Sequence, residues 1–338
     1  MQDNLDFLNN IQKGLEILQS IPSLNFHPSP RELVFTCDKI KLYHYASSSI
    51  TNKTPLLIVF ATVNRPDILD LNSNHSLIRD LLNQGHDIYL LDWGDINSED
   101  SQVTMADYVL KYIDACINFM LTKNNLLTVN LLGICQGGIL TLCYATIFDK
   151  INKLILISTP VDFHTKEHMI AKLLERLNAN DIIQNIPGSW LTNFFISLRP
   201  FELIGKKYLT FVNSLENESF IDTFLLVEKW LHDAPDQPML AFKQLLTDFY
   251  QGNKLVKNEA YLANRHITLS SIKIPILNII GTADEIVPPS ASTALKQYIS
   301  PELYTEKTFP AGHIGIYISH KIGKRLSSTI TEWLAGKY

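Results

Sequence analysis

Six residues constrain this chain more than any others: Gly133-Ile134-Cys135-Gln136-Gly137-Gly138. Ahead of them runs Leu126-Leu127-Thr128-Val129-Asn130-Leu131-Leu132, an apolar stretch of strand length. Behind them Ile139-Leu140-Thr141-Leu142-Cys143-Tyr144-Ala145-Thr146-Ile147 reads as a buried helix. A strand, a sharp glycine-flanked turn and a helix make a nucleophile elbow. The central residue of such a turn has a strained backbone, so its neighbours two positions away must be nearly free of side chain. Gly133 and Gly137 meet that need. The strain lifts Cys135 clear of the sheet at the start of the next helix, where the helix dipole stabilises negative charge. A plain glycine-rich turn with a buried, inert cysteine fits the same six residues, and two later segments decide between these readings.

The flanking pattern predicts the fold class. Leu33 and Phe35 on one side of Cys37-Asp38-Lys39, and Ile40 and Leu42 on the other, alternate as a hairpin does. Pro55-Leu56-Leu57-Ile58-Val59-Phe60, Asp87-Ile88-Tyr89-Leu90-Leu91 and Leu154-Ile155-Leu156-Ile157 read as further strands, and helices are expected over about 73–84 and 104–122. Strands and helices alternating in this rhythm predict an α/β fold with a mostly parallel sheet and helices on both faces. From about 163 the rhythm breaks into helices expected at 165–178, 218–231 and 239–250, with loops at Pro187-Gly188-Ser189-Trp190 and Ala234-Pro235-Asp236-Gln237-Pro238. It resumes at Ile274-Pro275-Ile276-Leu277-Asn278-Ile279-Ile280, followed by a helix through 290–299, a strand at Lys307-Thr308-Phe309 and a closing helix at 319–335. The expected organisation is an N-terminal helix in residues 1–30, a first part of the core in 31–162, a helical cap or lid in 163–268 and a second part of the core in 269–338. A cap over the sheet edge would exclude water and shape a pocket; a purely structural subdomain would look the same. Leu5, Leu8, Ile11, Leu15 and Leu18 lie at helical spacing before Ser20-Ile21-Pro22, which suits either a helix packed on its own domain or one that docks a partner.

Composition narrows the function. Of 338 residues, 46% are hydrophobic and 19% charged, with a net charge of −5; this is a globular chain without the basic stripe of a nucleic-acid binder. Cys37, Cys116, Cys135 and Cys143 show no Cys-x-x-Cys spacing, so neither a metal site nor a disulfide framework is expected and a reducing cytoplasm fits. The N-terminus carries acid where a signal peptide would carry base. No uninterrupted apolar run reaches membrane-spanning length.

The two deciding segments are Gly281-Thr282-Ala283-Asp284 and Gly312-His313-Ile314-Gly315. With them, Cys135, Asp284 and His313 each fall just past a predicted strand, in the order nucleophile, acid, histidine of the α/β-hydrolase fold. That order brings all three to one sheet edge, where open α/β sheets hold ligands. His313 is expected to take the Cys135 proton, and Asp284 to hold the imidazole tautomer and stabilise its cation. The backbone N–H of Gln136 and, from the loop after an early strand, that of Val63 are the candidate oxyanion-hole donors. A thiol attacking a thioester exchanges one thioester for another and keeps the acyl group activated, which suits repeated acyl transfer to a hydroxyl.

The chain resembles the polyhydroxyalkanoate synthases, specifically the short catalytic subunit of the two-subunit types. The resemblance covers nearly everything after about residue 30. It is carried by Val63-Asn64-Arg65-Pro66 with Leu69-Asp70-Leu71, Leu91-Asp92-Trp93-Gly94, the elbow, and Thr159-Pro160-Val161-Asp162-Phe163. It continues through Lys229-Trp230-Leu231, Asp233-Ala234-Pro235-Asp236-Gln237 and the Asp284 and His313 segments. It implies an acyltransferase that polymerises (R)-3-hydroxyacyl-CoA, foremost 3-hydroxybutyryl-CoA. Cys135 would be the acyl carrier and His313 its activator, and the His313–Asp284 pair would also activate the hydroxyl of the incoming or growing chain, with Asp284 nearer that second role. It further implies a homodimer, a second non-catalytic subunit, and residence in the cytoplasm at polyester granules, with coenzyme A borne by the substrate and no separate cofactor or metal. Met239 departs from the glycine or other small residue expected after Pro238. A cysteine hydrolase of the same fold (a thioesterase or dienelactone-type enzyme) and a non-catalytic granule-surface scaffold are the alternatives. Trp93 and Ser189-Trp190 could line an acyl or pantetheine pocket or simply pack; no basic residues single themselves out for the CoA phosphates.

Overall fold

Every apolar run that the sequence marks as a strand becomes part of one eight-stranded sheet in the computed structural model. The structure describes residues 2–337 except 20, 22, 23, 27, 28, 46, 48 and 49, with side chains from Asn9 onward. The strands are β1 (Glu32–Cys37), β2 (Ile40–Tyr45), β3 (Leu56–Val59), β4 (Ile88–Asp92), β5 (Val129–Ile134), β6 (Ile151–Ile157), β7 (Ile276–Gly281) and β8 (Tyr304–Phe309). Their order across the sheet is β1-β2-β4-β3-β5-β6-β7-β8. The first hairpin and the β2–β4 pairing are antiparallel; all later neighbours are parallel. Register aligns the strand ends: Val59 opposes Gly133, Ile134 opposes Ile157, and Gly281 opposes Phe309. The loops that leave these residues therefore share one edge.

The continuous apolar runs are explained by burial on both faces. Leu57, Val59, Leu131 and Leu156 point into one cluster, Leu56, Ile58, Leu132 and Ile157 into the other, as the two-residue period of a strand requires. The first face is covered by α3 (Asp114–Asn124), entered through a wider π-helical run, Asp107–Ile113, and by α4 (Gln136–Ile147). The second is covered by α2 (Leu77–Asn83) and α10 (His320–Leu334). Each fully buried Leu, Ile or Val contributes about 1.5–3 kcal/mol relative to exposure.

The helix expected over about 73–84 begins only at Leu77. Asp70–Asn72 and His75–Ser76 pair as a small hairpin instead, and the Ser76 hydroxyl accepts from Arg79 N–H to start the helix. Between β6 and β7 the chain forms α5 (Met169–Leu174), α6 (Gly188–Leu198), α7 (Lys207–Val212), α8 (Glu218–His232) and α9 (Met239–Gln244). The helix expected at 165–178 is thus much shorter, that at 239–250 becomes π-helical from Leu245, and α6 and α7 were not expected. Met239 needs no glycine: it opens α9 after extended Pro238, and its N–H donates to Asn185 Oδ1 at 3.0 Å. The N-terminal helix α1 (Gln2–Leu18) lays Gly14 against Phe211 of α7 and leaves Leu15 exposed. The side chains of Leu5 and Leu8, and residues Ser20 and Pro22 of the expected helix end, lie outside what is described. Among the described residues no helix is long and apolar enough to cross a membrane.

Candidate active site

Cys135 stands between β5 and α4 with φ 54° and ψ −122°, a conformation most L-residues avoid. Neighbouring contacts enforce it. The Cys135 N–H donates to Ile157 O at 2.9 Å, and Gly138 N–H donates to Cys135 O at 3.0 Å. The flanking glycines are required by close approach. A Cβ on Gly133 would lie 2.3 Å from Thr141 Oγ1, and one on Gly137 2.2 Å from Val59 O. The elbow is therefore pressed against the end of β3, and the thiol is left partly exposed.

Asp284 and His313 arrive from the ends of β7 and β8. His313 Nδ1 lies 2.7 Å from Asp284 Oδ2. Asp284 Oδ1 accepts N–H bonds from Ile286 at 3.0 Å and Val287 at 2.9 Å. Its side chain is fully buried, while that of His313 is 11% exposed. Burial opposes charge on His313, but the Asp284 carboxylate, hydrogen-bonded to the ring, and the nearby Cys135 sulfur outweigh it and raise its proton affinity well above the usual imidazole range. The three residues named from sequence are thus brought together, with the imidazole between sulfur and carboxylate. This arrangement can generate a thiolate, hold the imidazole in one orientation and return a proton to a leaving group.

Of the two expected oxyanion-hole residues, Gln136 is at the elbow and Val63 is joined to it through its neighbour Thr62, which donates to Gln136 Oε1. Gln136 supplies the first N–H of α4, a position without an intrahelical acceptor. Val63 follows β3 and packs, with Cys135, against the same apolar cluster. The aromatics sort differently. Trp93 is a core residue: its indole N–H donates to Phe60 O at 3.0 Å and its ring packs edge-on to Tyr108. Trp190 stacks on Phe194 and stands exposed, as does Ser189.

Sequence reasoning missed four residues. Tyr250, a partly buried residue of the insertion, and Tyr317, a buried one four residues after His313, have hydroxyls made harder to ionise by desolvation and by the charge of Cys135. Thr62 and Gln237 form a buried polar contact beside the elbow. Gln237 was within a quoted motif, and the Tyr317 spacing on the turn after His313 was readable; nothing local marks Thr62 or Tyr250. Among the described residues no group of three or more His, Cys, Asp or Glu side chains could hold a metal.

The alpha/beta hydrolase fold model matches residues 65–319. The chain is 40% identical to the poly(3-hydroxyalkanoate) polymerase subunit PhaC of Thiocystis violacea over 339 residues, covering 98% of this chain and 96% of that one. To the PhaC of Allochromatium vinosum it is 39% identical over 340 residues, again covering 98% and 96%. Among solved structures, a hydrolase from Pseudomonas aeruginosa PA01 superposes with a TM-score of 0.56 at 15% identity, covering 92% of this chain and 100% of that one. That last likeness concerns the fold.

Proposed function

The chain belongs to the poly(3-hydroxyalkanoate) polymerases, acyltransferases of α/β-hydrolase fold, and on that premise we propose that it polymerises (R)-3-hydroxyacyl-CoA, foremost 3-hydroxybutyryl-CoA, through an acyl thioester on Cys135. His313 takes the Cys135 proton, and sulfur attacks the thioester carbonyl. The N–H groups of Gln136 and Val63 hold the oxyanion. Collapse expels CoA, which leaves with the proton from His313. In the second half, the hydroxyl of the next hydroxyacyl-CoA gives its proton to His313 and attacks the Cys135 thioester. The ester formed is one unit longer and still a CoA thioester, so it can re-acylate the freed Cys135. Both Asp284 oxygens are already engaged, by two backbone N–H groups and by His313. Asp284 therefore acts through the imidazole and does not itself take the hydroxyl proton.

Residues 163–268 serve as the cap in this reading, and Tyr250 lends the site an apolar, water-poor wall. Coenzyme A arrives with the substrate. A homodimer, a second non-catalytic subunit and residence at cytoplasmic granules complete the proposal. The observation that carries it is the Cys135 sulfur at the strained elbow, beside the hydrogen-bonded His313–Asp284 pair. The test is to incubate the purified protein with (R)-3-hydroxybutyryl-CoA and assay both CoA and products. Release of CoA with insoluble polyester, absent in Cys135→Ala, is expected. Stoichiometric soluble 3-hydroxybutyric acid without polymer would make the protein a hydrolase and refute the proposal.

A further inference from the structure

We propose that Gln237 is a positioning residue for the oxyanion hole, acting from the insertion through Thr62. This rests on the reading of Cys135 as the acylated nucleophile and Val63 N–H as an oxyanion donor. The Gln237 amide is 4% exposed and Thr62 3%. Gln237 Nε2 donates to Thr62 O at 2.8 Å and to Pro235 O at 3.0 Å, with Asp236 O at 3.1 Å. Three carbonyls around the nitrogen fix the orientation of the amide. Its Oε1 then faces the Thr62 hydroxyl at 2.7 Å. Gln237 thus grips Thr62 at two points, one of them the backbone carbonyl.

That carbonyl belongs to the same rigid peptide unit as Val63 N–H. A planar trans peptide points its N–H opposite to its C=O, so holding Thr62 O from the Gln237 side aims Val63 N–H away from it. The other donor is tied in through the same residue. Gln136 Oε1 accepts from Thr62 N–H at 3.2 Å and shares the Thr62 hydroxyl proton at 2.9 Å. Thr62 therefore links the two residues that supply the oxyanion donors, and Gln237 locks Thr62. Gln237 is in turn anchored by paired backbone bonds with Ile186, at 2.8 and 2.9 Å. The Trp230 indole, donating to Arg65 O at 2.7 Å, holds the same loop down. Consequently the hole is correctly aimed only while the 233–237 loop is docked. Transition-state stabilisation, more than substrate binding, depends on that contact.

The test compares Gln237→Met, Gln237→Glu, Thr62→Val and Thr62→Ser with wild type. Rapid mixing with (R)-3-hydroxybutyryl-CoA gives the rate of Cys135 acylation. Alkylation by iodoacetamide, which needs no oxyanion hole, gives the reactivity of the sulfur, and thermal melting reports the fold. Gln237→Met is expected to slow acylation about 10- to 100-fold, with KM within about threefold and alkylation unchanged. Gln237→Glu places a carboxylate against carbonyl oxygens; its acylation should be slower still at neutral pH and recover as acid restores an O–H donor. Thr62→Val should lose several-fold and Thr62→Ser regain it, which keeps the test intact if the Gln237 variants fold poorly. Wild-type acylation rates in folded Gln237→Met, or acylation and alkylation falling together with the melting temperature, would overturn this inference alone. Absence of any Cys135 adduct in the wild-type protein would overturn the function proposed above, and this inference with it.

Discussion

The sheet and residues 158–275, which interrupt it between β6 and β7, are secured differently. β3, β5 and β7 are buried along their whole length, and both faces of the sheet feed continuous apolar clusters. The inner part of the interruption joins these clusters through residues such as Phe163, Leu245, Phe249 and Trp230, but its outer part relies on two small clusters, around Phe211 and Phe224 and around Ile170, Leu174 and Leu246. It exposes Met169, Leu177, Ile183, Phe201 and Ile204. It is tied to the sheet's loops by polar contacts: Gln237 on Thr62, Trp230 on Arg65 O, Arg65 with Asp233, Arg199 with Glu285. The neutral contacts contribute about 0.5–1.5 kcal/mol each and the partly exposed ion pairs about 0.2–1 kcal/mol, far less than the sheet's packing. The placement of Cys135, Asp284 and His313 is therefore a property of the rigid part, and the insertion is the part expected to open at least cost.

The largest expected effect tests where the chemistry sits. Cys135→Ala removes the acyl acceptor and should reduce CoA release by at least about 10³-fold, with a melting temperature close to wild type. Cys135→Ser should be folded and at most feebly active, because an oxygen ester is a poorer acyl donor. Near-normal polymerisation by either variant would detach the chemistry from the elbow.

A matched pair of glycines comes next. In Gly137→Ala the new Cβ meets Val59 O at 2.2 Å and Phe60 O at 2.7 Å. Neither carbonyl can yield without disturbing β3, so global stability should fall by about 3 kcal/mol or more. In Gly188→Ala the clash is with Ala234 O at 1.8 Å, between the start of α6 and a loop of the insertion. Its cost should appear as faster amide exchange and proteolysis near 183–190 and 233–238, with the global unfolding midpoint little changed. Equal global losses in both variants would erase the distinction between the two regions.

The same contrast decided what could be read from sequence. The strands were legible because a doubly covered parallel sheet demands unbroken apolar runs. Cys135 and Asp284 were legible because each follows such a run, whereas His313 follows the polar edge strand β8 and was legible from its Gly312-His313-Ile314-Gly315 turn and its place in the chain order. The insertion was not. α6 and α7 follow no strand and pack on small clusters, so their apolar residues show no single buried stripe. The end of α9 winds into π-helical turns, which shifts the 3.6-residue period. Thr62 and Gln237 lie 175 residues apart in sequence, and no local pattern announces a hydrogen bond between them.

A smaller effect concerns His313. Its proton affinity is raised against the penalty of burial by Asp284 and Cys135. Asp284→Asn should therefore lower it, moving the imidazole NMR titration to lower pH. The sign for stability follows from linkage. A raised folded-state value contributes fully below the ordinary imidazole range, near 6.5, and is lost as pH rises through the raised value. The stability gap between wild type and Asp284→Asn should thus shrink as pH climbs through that window. A gap that widens with pH would contradict the assigned charge pattern.

The smallest expected effect is at Arg199. Its pair with Glu285 at 2.7 Å is half exposed on both sides, so Arg199→Ala should cost about 0.2–1 kcal/mol, and less at high salt. A loss of several kcal/mol would mean that the insertion is held as firmly as the sheet.

The most direct measurement is intact-protein mass spectrometry of the chain mixed with (R)-3-hydroxybutyryl-CoA and quenched in acid within milliseconds to seconds. Peptide mapping then locates the added mass. A hydroxybutyryl group, or a short chain of them, on Cys135 in wild type and its absence in Cys135→Ala is the predicted result. CoA release with no adduct on Cys135 at any time from milliseconds to seconds would contradict the assignment of that sulfur as the acyl carrier.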